Sequence, residues 1–269
     1  MHPIYNLFFY IYENLEEFTY MQANNINEVI EILNTIVEDC KTNNNPLGYF
    51  AVLYRKVTIN VKDGIANSRF EDNARMEKLD VIFANRYFKA YFDLKENKPI
   101  TNSWKTALEA ATGNYLVLQH LLLGINAHIN LDLGIVTVDT IKDQPLDGIK
   151  NDFNHINQLL SDMTNGVKQN MGNISPIFGL LMPLAKRWDD KVIQFSIETA
   201  RDGAWTFAEC LHTTPDKSET LIKERDVQIA NLAFKLINPV RTLQWILNTI
   251  RFFEYGTVKS KVEKLESKL

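Results

Sequence analysis

The chain has 269 residues, 45% apolar and 11% aromatic, enough to bury one large core without help from metals or disulfides. A formal charge of −4 exerts no long-range pull on phosphates, and no arginine-rich stripe interleaves with aromatics, which argues against nucleic acid as a partner. Cys40 and Cys210 lie far apart without CxxC spacing, which argues against a disulfide framework or a thiolate zinc site and fits a reducing cytoplasm.

Residues 1–20 read as an N-terminal extension with an aromatic face; they lack a basic n-region and a small-residue cleavage site, so no signal peptide is expected. The helical domain is expected over 21–256, followed by a charged tail over 257–269 that frays. Within the domain the spacing predicts helices at 26–40, at 47–61 after the loop KTNNNP, and at 70–93 after DGIANS. Breaks at KENKP, at Thr112 and Gly113, and at KDQP delimit two more, the second a buried central helix at 114–138. Further helices are predicted at 146–163, 177–187, 189–212, 215–237 and 240–255. Periodicity is helical nearly throughout and no hairpin pattern appears, so the expected fold is all-α, a single bundle of about nine or ten helices. No run reaches the length of uninterrupted apolar residues that stable membrane insertion needs, because Asn, His and Asp stud the most apolar helix.

That central helix, with LVLQHLLLGINAHINLDLGIV at 116–136, is apolar around its circumference except at His120, Asn126, His128, Asn130 and Asp132. Buried polar groups cost a few kcal/mol each unless paired, so such a run serves either a hydrogen-bond network or a site. On a regular helix His128 and Asp132 lie about 40° apart and one turn along, able to share a metal, a proton or a substrate group. His120 lies about 80° from His128 and about 12 Å away along the axis, so it joins them only through a bend, for which Gly124 is the candidate. A metal needs ligands from other helices; Asp152 and His155 on NDFNHINQLL are the candidates, with Asp202 on ARDGAW. Beside Asp202, Arg201 is read either as an internal ion-pair residue or as an arginine that holds a substrate anion. In RMEKLDVIFANRYFKAYF, Asp80, Asn85 and Arg86 lie near an aromatic face.

Three strings, FAVLYRKVT, RFEDNARMEKLDVIFANRYF and QHLLLGINAHINLDLGI, followed by ARDGAW, resemble a family of uncharacterised bacterial and fungal proteins filed under a domain of unknown function, over roughly 26–255. That resemblance implies a helical single domain and no activity. A weaker resemblance is to zinc-dependent phospholipase C and the single-strand nucleases, whose helix carries a His and then an Asp four residues on. Here that pair falls at His128 and Asp132, while His120 is followed by Gly124. A third is to class I terpene synthases, on Asp189, Asp190, Asn151 and Asp152, with Leu159 where their second motif has an acid.

The expectation is therefore a small-molecule enzyme with its site in the helical core. His128, Asp132, Asp202 and Arg201 are the catalytic candidates, and Asn126, Arg86 and Trp205 those for substrate binding. His128, Asp132, His120, Asp152 and His155 are the metal candidates, for zinc, manganese or magnesium. Metal-assisted hydrolysis of an ester or phosphoester leads. The alternatives are a metal-free acid/base lyase or cyclase on an apolar intermediate, and a binding or structural protein in which the polar run satisfies itself. The expected partner is a largely apolar small molecule, with self-association left open.

Overall fold

In the computed structural model, the structure describes residues 22–185 and 197–267. Among them lie twelve α-helices and no strand: α1 Ile26–Thr42, α2 Gly48–Ala66, α3 Asn73–Lys95, α4 Asn102–Glu109, α5 Val117–Ala127 and α6 Gly134–Ile141. They continue as α7 Lys150–Ile174, α8 Phe178–Ala185, α9 Ile197–Thr213, α10 Ser218–Ile237, α11 Arg241–Phe252 and α12 Val258–Glu266. The all-α expectation holds, and the helices exceed nine or ten because the central span divides in two at His128–Leu133 and the charged tail adds one more. The extension at 1–20 and the start of the helix expected at 189–212 lie outside the described residues.

Local chemistry starts several helices where the sequence places them. Asn25 caps α1 by accepting from the Asn27 and Glu28 amides, and Asp72 caps α3 by accepting from the Arg75 amide. Pro46 precedes α2, whose first residue, Gly48, sits against Cys40 where a Cβ would come within 2.8 Å. The tail does not fray. Val258–Glu266 is a helix capped by Thr257; its buried Val258, Val262 and Leu265 face the body, Lys261 reaches inward to Glu254, and Lys259 and Glu263 are exposed. Arg55 pairs with Glu266, and the Lys56 ammonium caps the helix end on the Leu265 and Ser267 carbonyls.

The span from Val117 to Ile141 runs through the centre of the bundle; it is long and apolar enough to cross a membrane, yet 83% of its most apolar window is buried in the protein. It is not one regular helix. Between α5 and α6, His128–Leu133 forms a π turn, in which each amide bonds five residues back and the turn gains a residue. Gly124, the expected bend, is instead a contact point: a Cβ there would lie 2.4 Å from the Phe50 ring. At Gly134 a Cβ would lie 2.8 Å from the Ala204 carbonyl oxygen, so this glycine lets α9 approach the central span closely.

Candidate functional site

The π turn separates the two residues expected to work together. Asp132 is fully buried and turned toward α3 and α4: its Oδ1 accepts from Arg86 Nε at 2.6 Å and its Oδ2 from Trp104 Nε1 at 2.7 Å. With a donor on each oxygen, Asp132 is committed to structure. Burial nonetheless outweighs the Arg86 charge and these donors, and holds its carboxyl above the ordinary carboxylate range. Nor is His128 bonded to it. The imidazole stacks on Phe83 with ring centroids 3.4 Å apart and 9° between planes, and Tyr54 meets it edge-on at 4.4 Å. Neither ring nitrogen has a hydrogen-bond partner among the described residues. Burial, with the Arg86 charge adding, keeps this histidine neutral well below its usual range.

The metal set is likewise not assembled; among the described residues no three His, Cys, Asp or Glu side chains are placed to share an ion. His120 packs between Tyr49 and Tyr115, with ring centroids 5.7 and 6.2 Å away, and burial drives its pKa down to about 4. Asp152 accepts from the Glu71 and Asp72 amides and from Arg75 at 2.7 Å, tying α7 to the turn before α3. His155 is exposed, its ring edge-on to Phe70 at 6.1 Å. The reason is topological. Asp152 and His155 share a face of α7, but that face meets the α3 turn rather than the central span.

Of the remaining candidates, Asp202 is exposed on α9 and cannot join an interior site. Asn126 donates to the Ile229 carbonyl and accepts from Asn130, each at 3.0 Å, which ties it into the packing of the central span on α10. Trp205 donates to Glu209 at 2.7 Å and packs on Phe153 at 5.1 Å. Arg86 is held by Asp132.

Arg201 is different. It is 3% exposed, stacks over the Phe153 ring at 4.3 Å and donates from one terminal nitrogen to the Phe153 carbonyl, while its Nε has no partner among the described residues. Burial pulls its pKa down to about 9, so it remains a cation at neutral pH. It borders a cavity of about 40 Å³ where α2, α3, the π turn, α7 and α9 meet, with apolar walls from Val57, Met76, Leu79, Leu133 and Phe153. Two further polar side chains border the same cavity, Tyr54 from α2 and Asp80 from α3. The Tyr54 hydroxyl and Asp80 Oδ2 are, like Arg201 Nε, buried and without a partner among the described residues. Burial, with the Glu77 charge adding, pushes the Asp80 carboxyl up to about 7. Three orphaned polar groups on one apolar cavity make it the candidate site, and His128 stands directly behind its wall, stacked on the lining residue Phe83.

Tyr54 and Asp80 were not among the expected site residues, although the sequence carries a signal for Asp80. It falls one turn after Met76 and one before Ala84, both core positions, so it is the one acid in the middle of the apolar face of α3. Tyr54 carries no comparable mark, since an aromatic on a core face is the ordinary case.

The fold and the cavity together define a helical single-chain bundle with an interior polar cluster. Over residues 26–239 the chain belongs to DUF5995, a family of unknown function. No curated protein and no solved structure matches it significantly, so the resemblances to zinc phospholipases, single-strand nucleases and terpene synthases find no support. Of the residues behind the terpene synthase resemblance, Asp189 and Asp190 lie outside the described residues, and the Asn151 amide donates to Glu71.

Proposed function

We propose that the chain is an acid/base enzyme that moves a proton on a small, largely apolar molecule held in the cavity, with Asp80 as the acid/base group. This is the lyase or cyclase alternative, relocated from His128 and Asp132 to Asp80. The observation that supports it is that three residues bordering one otherwise apolar cavity each carry a buried atom unpartnered among the described residues: Tyr54 Oη, Asp80 Oδ2 and Arg201 Nε. Each unmet buried group costs about 1–3 kcal/mol, a standing cost that a ligand with matching donors and acceptors relieves. At neutral pH a carboxyl with a pKa of about 7 is populated in both forms, the poise that proton transfer requires. Tyr54 stays protonated because burial and the Asp80 charge raise its pKa, so its hydroxyl is available as a donor. Metal-assisted hydrolysis, the leading expectation, requires ligands that converge, and the described ones do not.

The test is to incubate the protein in D₂O with panels of small apolar ketones, alkenes and carboxylic acids and to follow them by proton NMR. Hydrogen–deuterium exchange at carbon, or product formation, is expected for at least one panel, and Asp80→Asn should slow it by about 100-fold or more with binding retained. A variant as active as the wild type removes Asp80 from the chemistry.

A further inference from the structure

A guanidinium that is 3% exposed and carries its charge at neutral pH requires compensation. What the fold supplies to Arg201 is the Phe153 ring face and the Phe153 carbonyl, a quadrupole and a dipole, and among the described residues no acid pairs with it. The acid that acts on it is Asp202, its own neighbour on α9, which points to solvent. Asp80 borders the same cavity, but neither residue bonds the other, and the carboxyl Oδ2 is itself unpartnered among the described residues. Buried arginines are ordinarily matched by a carboxylate in a two-bond fork. Here Arg201, its Nε unpartnered among the described residues, borders a cavity whose walls are apolar apart from Tyr54 and Asp80.

We propose that the cavity selects a molecule with an apolar body and a single anionic head, a carboxylate, which takes the Nε of Arg201 while the body lies against Met76, Leu79 and Phe153. This deepens the acid/base reading and rests on it for the location of the site. The head supplies the missing counter-charge. The opposite end of such a molecule faces Tyr54 and Asp80, where the proton would be transferred. The small free volume favours short molecules, a few carbons beyond the head.

Butanoate and hexanoate, each paired with its primary amide, test this on the full chain. The members of a pair have nearly the same shape and differ in charge. Calorimetric titration should give at least about tenfold tighter binding for the acids than for the amides, the order expected for a charge-assisted bond replacing a neutral one. Arg201→Gln should abolish that difference. Because the substitution removes a buried contact, a second measurement needs no variant: the Arg201 Nε–Hε resonance of the wild type, followed by ¹⁵N NMR, should move on adding hexanoate and stay still on adding hexanamide. If acid and amide bind equally and both disturb cavity residues, the anionic head is overturned while the cavity reading survives. If neither binds, water bridges the orphaned groups and both readings fall.

Discussion

At the scale of single residues, the interior titratable groups pull stability in opposite directions with pH. Asp80 has a folded pKa of about 7, above the ordinary aspartate value. The folded state therefore binds the proton more tightly, and the stability this gives is complete below about pH 4 and lost as pH rises through about 7. For His128 and His120 the sign reverses. Burial depresses both, so their contribution is present above pH 6.5, their ordinary value, and is lost on acidification, for His120 as pH falls through about 4. Asp80→Asn isolates the carboxyl, since an amide mimics its protonated form in shape and leaves the histidines in place. The variant should match the wild type in urea melts at pH 4 and exceed it by a few kcal/mol at pH 8. A difference between the two proteins that does not vary with pH would show that Asp80 ionises freely in the fold.

At the scale of elements, three acids cap helices from far along the chain. Asp226 on α10 accepts from the Asn102 and Ser103 amides at 2.8 Å each, starting α4, whose local Thr101 makes no side-chain cap. Glu254 accepts from the Val117 amide at the start of α5, and Asp152 serves the turn before α3. Removing such an acceptor strands buried donors and takes away a negative charge that favours a helix N-terminus. Asp226→Ala should cost about 1–3 kcal/mol and raise amide hydrogen exchange first at Asn102 and Ser103. A stable variant with protected amides there would mean that water replaces the cap. These acids also show where the sequence stops being legible. Helix periodicity and local caps such as Asn25 and Asp72 are written within a few residues, and the helices they start were readable. A cap 124 residues away is not, and neither is a π turn, which needs no distinctive residue and moved the irregularity from Gly124 to His128. Asp152 was taken for a metal ligand because a buried acid near a histidine looks the same in sequence whether it holds an ion or a backbone. Asp80 was visible as an acid on an apolar face, but only the packing around it showed that its Oδ2 has no partner among the described residues.

For the whole molecule, the family match ends at residue 239, yet the packing continues past it. Helix α12 lies against α1, α2 and α7, and inserts Val258, Val262 and Leu265 among residues of the main core. A composition of alternating Lys and Glu suggested a solvated tail because the three apolar residues are diluted among charges. They recur at spacings of four and three, which is one narrow helical stripe. Fully burying each such side chain contributes about 1.5–3 kcal/mol, and the ion pairs of Glu266 with Arg55 and Lys41 add little by comparison because they are partly exposed. A chain ending at residue 256 should therefore lose roughly 5 kcal/mol and melt about 10 °C or more lower. Val262→Asp in the full-length chain, which places a charge at a fully buried position of the same stripe, should reproduce most of that loss. Lys264→Ala, on the partly exposed side of the helix, should change it by less than about 0.5 kcal/mol. Thermal unfolding of these three proteins beside the wild type distinguishes a docked helix from a frayed one, since a frayed tail would leave all four melting together.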